Sequence, residues 1–175
     1  MLDITIAYKR YKFLGNEFLT WLWFYISQQS NQIKNKDNDL FELEINNQII
    51  LENILKDKSR EKIVIKGEEA GLEEAFLALQ KGALVTEISL LCKRQENTWI
   101  FKLKGESFSF SSLKTPNIAF IDKEKETEKF ILEKLYFYET IIEVIDSLYF
   151  KFAELRFSKE WETNIVPKMK NWINS

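Results

Sequence analysis

The chain has 175 residues, of which 45% are hydrophobic and 14% aromatic, and its formal net charge is −2 with a pI near 5.5. This composition excludes a disordered polymer and predicts one domain, residues 1–175, with a substantial core. The slight acidity gives no global signal for nucleic acid, although it is compatible with a local basic patch.

Several sequence features that mark common enzyme classes are missing. The chain has no histidine, so the commonest general base and metal ligand is absent. The only cysteine, Cys92, lies in a strand-like segment and is expected to be a buried hydrophobic residue rather than a reactive thiol. No glycine-rich phosphate loop is present. We therefore expect a non-enzymatic protein with no catalytic residues, metal or cofactor.

Two further patterns bear on localisation. The segment from Met1 to Tyr8 lacks the basic region and apolar core of a signal peptide. No apolar run reaches the roughly 18 residues that a membrane-spanning helix requires. The sequence therefore predicts a cytoplasmic protein that does not enter a membrane.

The first third of the chain is predicted to begin with a strand or ordered arm. An almost wholly apolar helix follows, with Asn16 as its N-cap, and is expected to be buried on most sides. A polar loop then leads to a hairpin that turns at Asn46-Asn47. The predicted bounds are Leu2–Lys12 for the arm, Gly15–Gln29 for the helix, Ser30–Asp39 for the loop, and Leu40–Ile45 with Gln48–Glu52 for the hairpin.

The middle of the chain alternates between apolar and polar residues and predicts four more strands around a short helix that stops at Gly82. A closing helix is expected to begin at Ser158 as N-cap and to kink at Pro167. This order predicts an α+β fold, an antiparallel sheet with one face covered by helices. The predicted bounds are Glu61–Lys66, Leu84–Arg94, Thr98–Lys104 and Ser107–Ser111 for the strands, and Gly71–Lys81 and Lys159–Ile173 for the helices.

The longest predicted element is a helix from Glu124 to about Arg156. Two apolar seams run along it, and together they form a stripe wider than a two-stranded coiled coil needs. At about 1.5 Å per residue the helix would span roughly 48 Å, so part of this stripe is expected to extend beyond its own domain. The first seam contains Ile131, Leu135, Tyr138, Ile142, Ile145, Tyr149 and Phe152.

The sheet face opposite the helices is the candidate functional surface. Trp99, Phe101 and Leu103 share one side of a strand, which leaves lysines on the other side. Ammonium groups and hydroxyls on an open sheet suit phosphate oxygens, although an ordinary solvated face would look similar and Glu42 and Glu44 would weaken the field. The candidates are Lys62, Lys66, Lys93 or Arg94, Lys102, Lys104, and the serines Ser107, Ser109 and Ser111.

Three carboxylates, Glu139, Glu143 and Asp146, are spaced to lie on one face of the long helix. Such a row could bind a divalent ion. Nothing else pairs with it at metal-motif spacing, so a solvated acidic stripe is the favoured interpretation, and no pair of carboxylates has a recognisable acid/base context.

The segment Phe13–Trp23, FLGNEFLTWLW, resembles a segment of the recombination-associated protein RdgC family, especially its short, divergent members. Weaker likenesses follow in the same order along the chain. They are Lys81-Gly82, Val85–Glu87, Ser112–Pro116, Leu132–Tyr136 and Leu155–Trp161.

This resemblance implies a nucleoid-associated protein that binds double-stranded DNA with little sequence preference. It further implies a homodimer and functional antagonism with RecA. Lys114 joins the candidates because it lies in one of the family-like segments. The alternative is a protein-interaction or structural subunit that uses the helix 124–156 as a docking surface. The candidate DNA-binding residues are therefore Lys62, Lys66, Arg94, Lys102, Lys104 and Lys114.

Overall fold

A computed structural model describes residues 4–28, 32–35, 37–54, 60–67, 72–119 and 127–174. The α-helices of these ranges are α1 (Ile4–Gln28), α2 (Leu72–Gln80), α3 (Thr127–Arg156) and α4 (Val166–Ile173), and a π-helical turn, Trp161–Ile165, leads into α4. The strands are β1 (Gln32–Lys34), β2 (Leu40–Ile54), β3 (Arg60–Lys66), β4 (Leu84–Arg94), β5 (Asn97–Lys104) and β6 (Ser109–Lys114). The predicted α+β class is confirmed.

The six strands form one antiparallel sheet. Five of them follow the order β1-β2-β4-β5-β6, and β3 pairs with β2 on the same edge as β1. β2 is its longest strand and pairs with β4 along one edge. Its other edge pairs first with β1 and then with β3. Side chains of directly paired residues lie on the same face of a sheet, so this register fixes which residues share each face.

One face of the sheet is covered by helices, as predicted. α1 lies across β4 and contacts β2 and α3, and the backbone N–H of Val85 donates to the Thr20 hydroxyl at 3.1 Å. Burial of this face removes most of the aromatic surface from water, which stabilises the fold through the hydrophobic effect. The largest fully buried side chains are Phe18, Trp21, Phe41, Trp99, Phe101 and Phe152.

The predicted N-terminal strand or arm is wrong, because a single helix runs from Ile4 to Gln28. Gly15-Asn16 lies inside this helix rather than at its start, so Asn16 is not an N-cap. A Cβ atom added at Gly15 would come within 1.9 Å of the Gly105 carbonyl oxygen. Glycine is therefore required here by the close approach of the β5–β6 turn to α1, not by a helix end.

The predicted hairpin at Asn46-Asn47 is also wrong. β2 continues through these residues, and a register shift relative to β4 between Ile45 and Ile49 absorbs them as a β-bulge. The hairpin turn lies earlier, within the segment predicted to be a loop. There the buried Asn35 side chain accepts hydrogen bonds from the backbone N–H groups of Asp37 at 3.0 Å and Asp39 at 2.9 Å.

The predicted end of α2 is confirmed, whereas the predicted start of the closing helix is not. Gly82, at φ +92°, ends α2 as predicted, with its N–H bonded to Leu79 and the N–H of Ala83 bonded to Ala78. Ser158 does not cap the closing helix, because its hydroxyl donates to the carbonyl of Leu155 at 2.8 Å. Pro167 lies in the first turn of α4, which follows the π-helical turn directly, and the N–H of Val166 just before it donates to the carbonyl of Trp161.

Candidate nucleic-acid interface

The side of the sheet that faces away from the helices carries five of the candidate lysines, and we call it the open face. Lys62 and Lys66 pair with Glu52 and Gln48 of β2. At the other edge of the same face, β5 contributes Lys102 and Lys104, which alternate with the buried residues Phe101 and Leu103, and β6 contributes Lys114. The predicted sharing of one sheet face therefore holds for these five residues.

Arg94 does not belong to this face. It has the same strand parity as the buried Cys92, and its guanidinium lies 5.5 Å from the centre of the Phe41 ring on the helix side. One nitrogen forms an ion pair with Asp39 at 3.1 Å, and another donates to the Tyr136 hydroxyl at 3.1 Å. The prediction that Arg94 lies on the open face is wrong, because Lys93, one residue earlier, has the strand parity of that face.

Some basic residues of the open face are held by partners. The Lys102 ammonium donates to Gln48 at 2.8 Å and lies 3.6 Å from Glu87. Lys93 lies 3.2 Å from Glu44. A phosphate that binds either ammonium has to compete with these contacts, so both residues are less available than their exposure suggests.

Other lysines of the open face are free. Lys62, Lys66, Lys104 and Lys114 are exposed, and within the described residues none of them has an ion pair or hydrogen bond. They lie in two groups, one on β3 and the other on β5 and β6, separated by β2 and β4. At about 4.8 Å per strand, the two groups are roughly 14–19 Å apart.

The strands between the two groups carry the carboxylates of the open face. Glu42, Glu44 and Glu52 lie on β2, and Glu87 lies on β4 directly opposite Lys104. This strip reduces the positive potential at the centre of the face and leaves it at the two flanks. Affinity for a polyanion is therefore expected to come from the flanks, with a contribution that salt screens strongly.

The remaining open-face residues favour contact with phosphates over stacking with bases. None of the described strand residues that face this side is aromatic, whereas single-stranded nucleic acids are typically bound by stacking on aromatic rings. Ser109 and Ser111 pair with Lys104 and Lys102, which places hydroxyl donors beside the ammonium groups. Ser107 lies in the turn and shares a 2.6 Å hydrogen bond with Ser109.

Sequence reasoning missed two basic residues of the open face, Lys34 and Arg60, and named Lys93 only as the alternative to Arg94. Arg60 begins β3 and lies 3.6 Å from Glu52. Lys34 lies on β1, inside the segment predicted to be a loop. Strand parity would have identified Lys93, because it requires the opposite face from Cys92, but no local pattern signalled β1.

The acidic row Glu139, Glu143 and Asp146 lies exposed on α3. Among the described residues, no group of three or more acidic or cysteine side chains comes close enough together to hold a metal ion. The arrangement matches the favoured interpretation of a solvated stripe. The N-terminal half of α3 also exposes apolar side chains, with Leu132 at 60% and Ile131, Leu135 and Tyr136 each at 51%.

The family-like segments lie mainly on the helix-covered side. The Arg156 guanidinium donates to Glu17 at 2.8 Å and lies 5.4 Å from the centre of the Trp161 ring, which joins the first segment to the last. Gly15, in the first segment, meets Gly105. These residues position helices against the sheet, so the resemblance concerns the fold more directly than it concerns a DNA contact. Lys114 is the exception, because it is exposed at the end of β6.

No protein-family model matches this chain, and no curated protein matches it significantly. In the described part of the chain, no helix combines the length and apolar character needed to cross a membrane.

Proposed function

We propose that this protein binds double-stranded DNA through the open face, without reading its sequence. The observation that carries the proposal is a set of exposed lysines that have no ion-pair partner among the described residues, on one side of a sheet whose other side is covered by helices: Lys62, Lys66, Lys104 and Lys114. Ammonium groups bind phosphate oxygens of any sequence, and the lack of described aromatic side chains on this face favours a stacked duplex over splayed bases.

The arrangement of charges predicts a modest, salt-sensitive affinity. If each of the four free lysines neutralises one phosphate, the logarithm of the binding constant should fall with the logarithm of salt concentration with a slope of about −3 to −4. The glutamates between the two lysine groups oppose tighter binding. Non-specific binding of this kind suits a protein that coats or restrains DNA rather than one that selects a site.

The test is a titration of duplex DNA across salt concentrations, with the wild type beside two variants of equal charge. The first carries Lys62→Gln, Lys66→Gln, Lys104→Gln and Lys114→Gln, and should lose most of the salt slope. The matched control replaces exposed lysines from other parts of the molecule, Lys81, Lys129, Lys159 and Lys170, and should keep it. Equal loss in both variants, or no binding by the wild type at low salt, would reject the proposal.

The resemblance to the RdgC family supports a more specific role, a homodimer in the nucleoid that antagonises RecA-dependent recombination. In this chain an ion pair between Glu17 and Arg156 joins two of the segments that carry the resemblance. The corresponding test is RecA-driven strand exchange on duplex DNA in the presence of the protein. Inhibition by the wild type but not by the open-face variant is expected, and unaltered strand exchange would contradict the role.

A docking function for α3 is the second candidate, favoured by the exposure of Ile131, Leu132, Leu135 and Tyr136 along its N-terminal half. A continuous apolar strip on one helix is typical of a protein contact, and a second copy of this chain is the proposed occupant. Native mass should then exceed that of a monomer and return to it in an Ile131→Glu, Leu135→Glu variant. A monomeric wild type would exclude a homodimer through this strip.

A further inference from the structure

A cleft lies at the edge of the sheet beside β1, away from Lys62, Lys66, Lys104 and Lys114. It is formed where the C-terminal part of α1 and the middle of α3 meet the edge strand β1, and its volume is about 370 Å³. Clefts of roughly 300–1,000 Å³ are the size class that holds small ligands in proteins. Its lining residues are Tyr25, Gln32, Ile33, Lys34, Leu40, Ser147, Leu148 and Lys151.

The cleft is cationic. Lys34 and Lys151 are both exposed in it, and none of the lining residues is a carboxylate, although the chain as a whole carries a net charge of −2. Lys34 has no hydrogen bond or ion pair with any described residue. This separation of charge gives the cleft a local preference for anions that the whole chain does not have.

The Lys151 side chain is held in place by Tyr25. The Lys151 ammonium donates to the Tyr25 hydroxyl oxygen at 3.0 Å and lies 4.6 Å from the centre of the Tyr25 ring. Tyr25 is itself stacked on the buried Trp21, with ring centres 5.0 Å apart. Because the Tyr25 oxygen accepts this bond, its own O–H remains able to donate to a ligand beside the ammonium.

The floor of the cleft is apolar. Ile33 and Leu148 are buried at 6% and 2% exposure, and Leu40 stands at the rim with 45% of its surface exposed. Because Ile33 and Leu148 are already almost fully buried, the apolar surface that a ligand can still cover belongs mainly to Leu40. An inorganic ion would leave that surface in water, whereas a hydrocarbon or aromatic body that contacts Leu40 and the floor would remove it from water. The ligand class follows from the combination of a cationic wall with an apolar floor.

We propose that this cleft is a binding site for a small organic anion, in which a carboxylate or phosphate head contacts Lys34, Lys151 and Tyr25 and an apolar body lies on Ile33 and Leu148. The site shares Lys34 with the open face, because the cleft lies at the edge strand β1, but it does not rest on DNA binding. Each charge-assisted hydrogen bond should contribute roughly tenfold or more to affinity.

The test is calorimetric titration of the full chain with four probes: hexanoate, hexyl phosphate, hexan-1-ol and inorganic phosphate. The two amphiphilic anions should bind with similar affinity, and at least about tenfold more tightly than either the neutral alcohol or the bare ion. Equal binding of hexan-1-ol would overturn the role of the lysines. Equal binding of inorganic phosphate would overturn the role of the apolar floor.

Variants locate the site. Lys34→Gln and Lys151→Gln should each weaken hexanoate by about tenfold, and Tyr25→Phe should weaken it by less because the ring and the lysine remain. Lys170→Gln, an exposed lysine on α4, is the matched control and should leave binding unchanged. Thermal unfolding of each variant shows whether it is folded. Hexanoate affinity that is unchanged in both cleft-lysine variants would reject the proposal.

Discussion

The two faces of the sheet belong to the same strands but differ in burial and charge. On the covered face, alternate residues are aromatic or aliphatic and almost fully buried, and packing fixes each of them. On the open face, lysines, glutamates and serines stand among aliphatic residues such as Ile50, Val64 and Leu91, and some of the described charged groups are paired whereas others are free. The covered face therefore determines whether the chain folds, whereas the open face determines what the folded chain attracts.

This difference explains why the family-like residues and the candidate site hardly overlap. Gly15, Glu17, Trp21 and Arg156 act within the covered side, where a change of one methyl group alters packing. The lysines of the open face tolerate exchange because water surrounds them. Mutations on the two faces should therefore separate stability from binding.

The largest expected effect is on the covered face. Trp21 is 1% exposed and packs against Phe152, with ring centres 5.6 Å apart. Trp21→Ala should lower the free energy of unfolding by about 3–5 kcal/mol, because it removes a large buried ring and leaves a cavity. Denaturant titration measures the loss. Phe150→Ala, an aromatic residue at 63% exposure on α3, is the control and should cost far less. Similar losses in both variants would contradict the predicted difference.

The second effect tests the closest approach between the two layers. A Cβ atom at position 15 would meet the Gly105 carbonyl at 1.9 Å, so Gly15→Ala has to push the β5–β6 turn away from α1. Overpacking of this kind typically costs about 1–3 kcal/mol, which outweighs the higher helix propensity of alanine. Ser27→Ala, at the exposed end of the same helix, should change stability little. A Gly15→Ala protein as stable as the wild type would show that this contact is not tight.

The third effect is a pH dependence that originates in the covered face. Burial raises the pKa of the Cys92 thiol to about 12, whereas an unfolded cysteine ionises near about 8.5. Between these values the unfolded chain loses a proton that the folded chain keeps, so stability falls as pH rises, by up to about 1.4 kcal/mol per unit. Below about pH 7 this effect is negligible, because the thiol is protonated in both states.

Unfolding experiments from pH 7 to 11 measure this dependence, and Cys92→Ala should reduce it. Part of the alkaline loss should remain in that variant, because burial also raises the pKa of Tyr149. The native thiol should react with a disulfide reagent only at the rate of unfolding, since the residue is buried. Rapid labelling of the native protein would contradict the structural role of Cys92.

Sequence patterns predicted the regular elements well and their connections poorly. Alternation identified β3, β4 and β5, and heptad spacing identified α3, because each signal is repeated over many residues. Asn46-Asn47 was misread as a turn because a β-bulge and a hairpin use the same residue types, and only long-range pairing with β4 distinguishes them. Gly15 was likewise mistaken for a helix start. The contact that requires a glycine there is with Gly105, 90 residues further along the chain, and no local pattern shows it.

The residues of the open face could be predicted wherever the alternation of buried and exposed residues along a strand was clear. Lys102 and Lys104 could be placed because the buried residues between and beside them fix the face. The choice of Arg94 over Lys93 was wrong because the alternation continues to the strand end, so that Arg94 shares the covered face with the buried Cys92 and Lys93 faces the other way. No sequence pattern could show that Glu87 and Gln48 hold Lys102 while Lys104 is free, since that depends on which strands are neighbours.

The smallest expected effect on stability is therefore the most informative for binding. Lys102 and Lys104 lie two residues apart on β5 and face the same way, yet only Lys102 has partners among the described residues. Lys104→Gln should leave the free energy of unfolding within about 0.5 kcal/mol and lower the salt slope of DNA binding by about one. Lys102→Gln should lower that slope less, because Gln48 and Glu87 already compete with phosphate for its ammonium. If the two substitutions weaken DNA binding equally, the ion pair of Lys102 does not limit its access to phosphate, and the exposure of each lysine alone determines its contribution.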